Sequence, residues 1–220
     1  MTKLVHLYVF DGLSDWEPGF AIAGINNREL RRPSADFSVR VVAERPAPVV
    51  TAGGLKIQPD SMLAALKPDH SAMLILPGGT AWDRNENVAA AEKAREFLNA
   101  GVAVAAICGA TAGLARAGVL DTREHTSNAP EYLKATRYAG AHLYRDEPAV
   151  TDDNLITASA MAPLEFAREI FAKLQIYSPA VLEAWYRLFA TRQPECFGAL
   201  MAAAARQGGA STQESRQLRH

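Results

Sequence analysis

The stretch Val102–Ile107 (VAVAAI) constrains the fold more than any other part of the sequence. Its six residues carry no polar side-chain atom, and they stand between Gly101 and the pair Cys108-Gly109. A run this short and this apolar is typical of a central strand in a parallel sheet, because helices cover both faces of such a sheet. The stretch therefore predicts an α/β fold with this strand near the centre of the sheet.

Short apolar runs alternate with amphipathic helical stretches on both sides of this strand. The predicted strands and helices are 3–10 (strand), 16–30 (helix), 37–43 (strand), a hairpin around Gly53-Gly54, 72–76 (strand), a helix after Asn87, 109–117 (helix), short strands near 125–127, 149–151 and 155–158, and a helix from Pro163. This alternation is the pattern of βα units wound onto both faces of a mostly parallel sheet. It predicts one doubly wound domain over residues 1–177.

Residues 178–206 are predicted to form a C-terminal helical extension. Ser178-Pro179 is a helix start, and an apolar stripe follows it, made up of Val181, Leu182, Trp185, Leu188 and Phe189. A stripe of this size must cover either the domain's own helices or a second subunit, and the sequence leaves both open. Residues 207–220 contain no large apolar side chain except Leu218, so we predict a mobile tail there.

Composition and charge favour a small-molecule partner. The 23 Lys and Arg residues nearly balance the 24 Asp and Glu residues, so we expect neither nucleic acid nor a membrane as a partner. The longest uncharged apolar stretch, 100–115, is shorter than the roughly 20 residues of a membrane span, and no targeting segment is recognised. Cys108 and Cys196 form no CxxC pair, which argues against a disulfide framework or a metal site. We predict a cytoplasmic protein without a cofactor.

Three segments follow predicted strands, where ligands bind in open α/β sheets. They are Asp15-Trp16-Glu17, Pro77-Gly78-Gly79 and Ile107-Cys108-Gly109. A cysteine between a strand and a helix start directs its sulfur at the free N–H groups of that helix, which favour the thiolate. We expect the backbone of Gly109 and of the Gly78-Gly79 pair to supply an oxyanion hole, and a carboxyl after the first strand to lie beside the sulfur.

Each of these residues also has an ordinary structural interpretation. A lone cysteine after an apolar strand often fills the core, and an acidic residue such as Glu17 is common in the first turn of a helix. Gly78 and Gly79 are also typical turn residues, and Asp15 is the alternative to Glu17 as the acid. Trp16 and Trp82 are candidates either for pocket lining or for packing. We expect a structural role for Cys196 and no catalytic role for His125.

The sequence resembles the DJ-1/PfpI family, which belongs to the class I glutamine amidotransferase-like superfamily. The matching stretches span most of residues 3–174 in the family's order: LVHLYVFDGLSDWE, LILPGG, VAVAAICGATAGLARAGVL, HTSN and DNLITASAMAPLEFAREIF. The resemblance implies a flavodoxin-like three-layer αβα sandwich and a reactive nucleophile at Cys108. It also implies an acid at Glu17 hydrogen-bonded to that nucleophile, and a homodimer.

The sequence departs from the family at positions that matter for the chemistry. Many members have a histidine directly after the nucleophile, where this chain has Gly109, and others have one that aligns with Asn128, which we count as a candidate pocket residue. True glutamine amidotransferases complete a triad with a His-x-Glu motif, and the sequence contains none. A glutaminase is therefore disfavoured. The chain is most similar to bacterial glutamine amidotransferase-like proteins with CGAT after the strand and a C-terminal helical extension.

Two functions from different classes remain open. In the first, the protein is a cysteine-dependent enzyme, a hydrolase or lyase, whose Cys108 thiolate attacks a small carbonyl, amide or nitrile-like substrate while Glu17 donates or shuttles a proton. In the second, it is a redox sensor in which Cys108 is oxidised to sulfenic or sulfinic acid. For either function we predict a lowered pKa for the Cys108 thiol and a partly protonated Glu17 beside it.

Overall fold

The structure, a computed structural model, describes the backbone of residues 2–217 and the side chains of residues 2–207. The strands are β1 (Lys3–Tyr8), β2 (Phe37–Ala43), β3 (Val49–Val50), β4 (Lys56–Ile57), β5 (Ser61–Met62), β6 (Ser71–Leu76), β7 (Ala103–Ile107), β8 (Ala149–Asp152) and β9 (Leu155–Ala158). The helices are α1 (Trp16–Asn26), α2 (Val88–Asn99), α3 (Gly109–Arg116), α4 (Pro130–Lys134), α5 (Pro163–Leu174), α6 (Pro179–Thr191) and α7 (Glu195–Gln217). Most predicted elements are present.

Seven strands form one mostly parallel sheet in the order β5-β2-β1-β6-β7-β9-β8. Only the edge strand β8 runs antiparallel to its neighbour, and β3 and β4 pair with each other as the predicted hairpin. Strand β7 lies inside the sheet between β6 and β9, and all five of its residues are buried. Helices α1 and α5 pack together as one helix layer, and α2 packs with α3 in the other. The flavodoxin-like αβα sandwich is confirmed.

The structure differs from the predicted elements in two places. Helix α1 ends at Asn26 instead of near residue 30, because the Asn27 carboxamide accepts the N–H of Glu29 and so competes with the helical backbone. The strand predicted at 125–127 is reduced to a single bridge between His125 and Tyr144. Neither difference moves the strands that carry the candidate site.

The helical extension packs on its own domain, which is the first of the two alternatives that the sequence left open. Trp185 of α6 contacts Phe171 of α5, with the ring centroids 5.0 Å apart, and it also meets Phe20 of α1 at 6.1 Å. The Gln207 amide donates to the Leu30 carbonyl and accepts the Ser178 N–H. Helix α7 continues to Gln217, within the stretch 207–220 that we predict to be mobile; this mobility stays a prediction, and residues 218–220 lie outside the described residues.

Within residues 2–217, no helix combines the length and the apolar character that crossing a membrane requires.

Two glycines of α1 provide a matched test of how α1 packs on α5. A Cβ at Gly24 would overlap the ring of Phe171, which Tyr177 and Trp185 hold in place at centroid distances of 4.9 and 5.0 Å. We expect Gly24→Ala to lower the free energy of unfolding by about 1–3 kcal/mol, as overpacking does. Gly19→Ala has open space around it and should raise that free energy by up to ~1 kcal/mol through helix propensity.

Urea unfolding of the two variants measures both changes. Equal effects at Gly19 and Gly24 would contradict the α1–α5 packing.

Candidate active site

Cys108 stands at a sharp turn between β7 and α3. Its backbone has φ 59° and ψ −126°, a conformation that costs an L-residue about 1–3 kcal/mol. Two hydrogen bonds to the backbone of Cys108 hold this turn: its N–H donates to the Ala158 carbonyl at 3.0 Å, and its carbonyl accepts the Thr111 hydroxyl at 2.6 Å. Cys108 is half-buried. The predicted strand-to-helix elbow is confirmed.

The three segments that follow β1, β6 and β7 meet at this turn. Glu17, in the first turn of α1, is fully buried, and its Oε2 atom accepts the N–H of Gly78 at 2.5 Å. A Cβ at Gly78 would lie 2.6 Å from the Cys108 Cβ, 2.7 Å from Glu17 Oε2 and 2.9 Å from the Cys108 sulfur. Only glycine fits between the carboxyl and the thiol. The spacing of the segments in the sequence thus produces a compact carboxyl–thiol pair.

Burial dominates the electrostatics of this pair. It raises the pKa of Glu17, and the hydrogen bonds from Gly78, Cys108 and Ser14 offset this only in part. Burial also raises the pKa of Cys108, and the negative charge of Glu17 raises it further, to about 11. The lowered pKa predicted for Cys108 is therefore wrong while Glu17 is ionised. The raised pKa of Glu17 has the predicted direction.

Asn128 contacts the sulfur directly. Its Nδ2 donates to the Cys108 sulfur at 3.5 Å, while its Oδ1 accepts the N–H of Ala160 at 2.9 Å. The second bond fixes the amide with its donor side towards the sulfur. Asn128 and the Gly109 N–H both lower the pKa of Cys108, and so work against the burial and the charge of Glu17.

The glycines do not form the predicted oxyanion hole in full. The N–H of Gly78 is bonded to Glu17 and is not free for a substrate oxygen. The N–H of Gly109 lowers the pKa of the Cys108 thiol, and a Cβ at Gly109 would lie 2.9 Å from the Gly79 carbonyl oxygen. Glycine is thus needed at 109 for the close packing of two loops, and a role of Gly109 in the approach of a substrate stays a prediction. A donor role for the Gly79 backbone stays a prediction.

Trp82 packs in the interior, the second of the two roles that the sequence left open, and its part in lining a pocket stays a prediction. Only 1% of it is exposed; its Nε1 donates to the Pro77 carbonyl at 2.9 Å, and its ring packs against Gly113. The large indole fills the space beneath the loops of the site because Gly109 and Gly113 leave room for it.

Asp15 and Trp16 face the β3–β4 hairpin. The carboxylate of Asp15 accepts the N–H of Gly53 at 2.7 Å, and hydrogen bonds from Thr51 and Gly53 lower its pKa. Trp16 is 58% exposed and lines a shallow depression with Asp15 and Leu55. Of the two carboxyls considered, Glu17 is therefore the one beside the sulfur.

His125 has both ring nitrogens within hydrogen-bond distance of other groups. Nδ1 lies 2.7 Å from the Arg123 carbonyl oxygen, and Nε2 lies 2.9 Å from the Tyr138 hydroxyl. Burial lowers the pKa of this histidine. The absence of a catalytic role for His125 stays a prediction. Cys196 is buried in α7, where its sulfur lies 3.8 Å from the Thr191 hydroxyl.

The sequence analysis missed the pair Tyr132 and Asp83. The Tyr132 hydroxyl donates to Asp83 Oδ1 at 2.6 Å, which connects α4, just after Asn128, to the loop that follows Gly79. Burial raises the pKa of Tyr132, and the charges of Asp83 and Cys108 add to the rise, so the hydroxyl lies within the field of the sulfur. No local pattern pairs two residues 49 positions apart, and only the fold brings them together.

The fold and this site define a class of α/β proteins with a cysteine at a strand-to-helix elbow beside a buried acid. The sequence profile of the DJ-1/PfpI family matches residues 3–173, and the chain belongs to this family.

Several relatives resemble the chain over nearly its whole length. A thiJ/pfpI family protein from Bacillus anthracis, with a solved structure, is 43% identical with a TM-score of 0.87, covering 92% of this chain and 97% of that one. A DJ-1 superfamily protein from Agrobacterium tumefaciens is 31% identical with a TM-score of 0.78, covering 87% and 99%. A Bacillus subtilis protein named uncharacterized protease YoaZ is 42% identical over 203 residues, 91% of this chain and 97% of that protein.

Proposed function

We propose that this protein is a cysteine-dependent enzyme, a hydrolase or lyase, that acts on a small carbonyl, amide or nitrile-like substrate. The observation that carries the proposal is the half-buried Cys108 beside the fully buried carboxyl of Glu17, packed so closely that position 78 between them has no room for a Cβ. A strained elbow held in this form is typical of a functional site.

Glu17 acts first as the base and then as the acid. Because the pKa of Cys108 is raised to about 11, the thiol needs a neighbouring base to lose its proton near neutral pH. The Glu17 carboxylate takes that proton, which removes its own charge and with it one cause of the raised pKa of the thiol. The Gly109 N–H and the Asn128 amide then stabilise the thiolate.

The attack forms a bond between the Cys108 sulfur and the electrophilic carbon of the substrate. The π electrons of that carbon move to the attached oxygen or nitrogen, and the protonated Glu17 returns its proton to this atom. For an amide, Glu17 moves the hydroxyl proton of the adduct to the leaving nitrogen, the carbonyl re-forms and the C–N bond breaks, so that a neutral amine departs. Water then attacks the thioester and the C–S bond breaks. The water oxygen and one of its protons leave with the acyl group as a carboxylic acid, and the other proton returns to the sulfur.

Comparison of the wild type with Cys108→Ser on 2-oxoaldehydes, isonitriles, primary amides and glutamine tests the proposal. We expect turnover of at least one class and a loss of about 1,000-fold or more in Cys108→Ser. The matched control is Cys196→Ser, which alters the other buried thiol and should keep the activity. If the wild type turns over none of these four substrate classes, or if the wild type and Cys108→Ser react at equal rates, the proposal is overturned.

The redox-sensor alternative is less well supported by the same geometry. Oxidation by a peroxide follows thiolate character, and the raised pKa of Cys108 keeps the thiolate fraction low when Glu17 is ionised. The donors on Asn128 and Gly109 would nevertheless suit a sulfinate. Slow, unselective oxidation of Cys108 and Cys196 by hydrogen peroxide would argue against a sensor.

We propose in addition that the protein forms a homodimer, as the family resemblance implies. Val181 and Trp185 of the apolar stripe of α6 are buried in the protein's own domain, but Phe189 at the end of the stripe stays 42% exposed. Phe197 and Met201 of α7 stay 56% and 43% exposed, one helical turn apart. Light scattering behind a sizing column should give a mass near twice 23.7 kDa at tens of micromolar. A mass of 23.7 kDa would contradict the dimer.

A further inference from the structure

A second cavity, of about 300 Å³, lies at the carboxyl ends of β1 and β2. Residues of the segment that follows β6 also line it, namely Ala81, Glu86 and Asn87. Open α/β sheets bind ligands outside the carboxyl ends of their strands. Phe10 lines the cavity and packs on Trp82, which in turn packs on Gly109. The cavity is therefore separated from the Cys108 site by aromatic rings.

The cavity is lined by a network of three polar side chains in which one buried atom is left without a hydrogen-bond partner. The Tyr8 hydroxyl lies 3.0 Å from Glu44 Oε1 and 3.0 Å from Asn87 Oδ1, but it has one proton to give to these two acceptors. Burial and Glu44 raise the pKa of Tyr8, so the hydroxyl keeps that proton. Asn87 is only 5% exposed, and its Nδ2 has no partner among the described residues.

Turning the Asn87 amide over makes one more hydrogen bond. Nδ2 then donates to the Tyr8 oxygen, Tyr8 donates to Glu44, and Asn87 Oδ1 is the buried atom left without a partner. In this better-bonded orientation the buried atom that remains is an acceptor that lacks a donor. Because an unmet buried polar atom costs about 1–3 kcal/mol, a ligand that brings a donor gains this energy.

The charged residues that line the cavity favour a ligand whose hydrogen-bond donor is positively charged. Asp11, Glu44 and Glu86 line it together with a single cationic side chain, Arg45. Glu86 is neutralised by Arg84, which holds both of its carboxylate oxygens at 2.6 and 2.8 Å. Asp11 and Glu44 therefore outnumber Arg45, and the lining favours a cation.

We propose that this cavity binds the protonated primary amine of a small molecule, with the ammonium group between Glu44, Tyr8 and Asn87. An ammonium group brings three donors and a positive charge, which satisfies the acceptor that lacks a donor and offsets the excess of carboxylates. The volume lies at the lower end of known ligand sites, roughly 300–1,000 Å³, and suits a ligand of a few carbon atoms. The proposal does not depend on the reaction at Cys108.

Titration of the ¹⁵N-labelled protein with propylammonium, followed by NMR, tests the site, with propionate and 1-propanol as probes of the same size. We expect saturable shifts of the backbone amides at 8–11 and 43–49 with propylammonium alone. Glu44→Gln should weaken this binding about tenfold through loss of the charge. The matched control Glu29→Gln removes the same charge from an exposed position elsewhere and should leave the binding unchanged.

Tyr8→Phe should weaken the binding similarly, and Cys108→Ser should not affect it. Because Glu44 is exposed, Glu44→Gln keeps the test valid even if Tyr8→Phe does not fold. Equal shifts with propionate or propanol, no saturable shift up to about 100 mM propylammonium, or full binding by Glu44→Gln would each overturn the proposal.

Discussion

Gly78→Ala is expected to destabilise the protein by about 1–3 kcal/mol and to change the alkylation rate of Cys108 by about tenfold or more. The new Cβ would stand 2.6 Å from the Cys108 Cβ and 2.7 Å from Glu17 Oε2, closer than real Cβ atoms approach their neighbours. Cys108 is held at its elbow by hydrogen bonds to its backbone, and the buried Glu17 cannot move without breaking the bond from the Gly78 N–H. Urea unfolding and the iodoacetamide labelling rate measure the two effects.

Gly198→Ala is the control for this substitution. It adds the same methyl group on α7, where nothing lies within 4 Å of the new atom. We expect unchanged labelling and a stability equal to the wild type or slightly higher. If Gly78→Ala behaves like Gly198→Ala, the close approach of Glu17 and Cys108 is contradicted.

Glu17→Gln is expected to lower the pKa of Cys108. The glutamine keeps an acceptor for the Gly78 N–H but removes the negative charge that helps raise the thiol pKa to about 11. Each unit by which this pKa falls increases the thiolate fraction at neutral pH about tenfold. The rate of iodoacetamide labelling at Cys108 as a function of pH, read by mass spectrometry with Cys196 as the internal reference, measures the shift.

Glu17→Leu separates the charge from the hydrogen bond. Leucine also removes the charge, but it leaves the buried Gly78 N–H without an acceptor, which should cost about 1–3 kcal/mol of stability. Glutamine should therefore give a reactive, stable protein, and leucine a destabilised one. A rise in the Cys108 pKa on Glu17→Gln would contradict the role given to the Glu17 charge.

The stability of the wild type and that of Glu17→Gln are expected to depend differently on pH. The folded protein raises the pKa of Glu17, so this group favours folding fully below its unfolded pKa of about 4.3. That contribution is lost as the pH rises through the folded pKa. Glu17→Gln does not titrate, so its unfolding free energy relative to the wild type should increase from pH 4 towards neutral pH.

The sequence predicted the position of the candidate site because the local pattern of apolar residues indicates where each strand ends. The apolar run 102–107 identified a central strand, and the carboxyl ends of β1, β6 and β7 meet because these three strands are neighbours in the sheet. The segments carrying Glu17, Gly78 and Cys108 therefore come together as expected. The family resemblance, confirmed over residues 3–173, pointed to the same residues.

The electrostatics and the packing of the site could not be read from the sequence. The low pKa expected for Cys108 was based on the helix N–H groups alone. Burial and the charge of the Glu17 carboxylate outweigh those groups. Trp82 was a candidate for pocket lining or for packing because it follows a strand. Only the fold shows that its ring fills the space left by Gly109 and Gly113. The contacts between Tyr132 and Asp83, and between Tyr8, Glu44 and Asn87, join distant segments and have no local signature.

The central claim is that Glu17 and Cys108 titrate as one coupled pair, and a ¹³C NMR titration of the Glu17 carboxyl tests it most directly. In the wild type we predict a pKa above the ordinary value for glutamate and a second inflection where the thiol ionises, matched by the thiolate absorbance. In Cys108→Ala the second inflection should vanish. A single step at the ordinary glutamate pKa, unchanged by Cys108→Ala, would contradict the account.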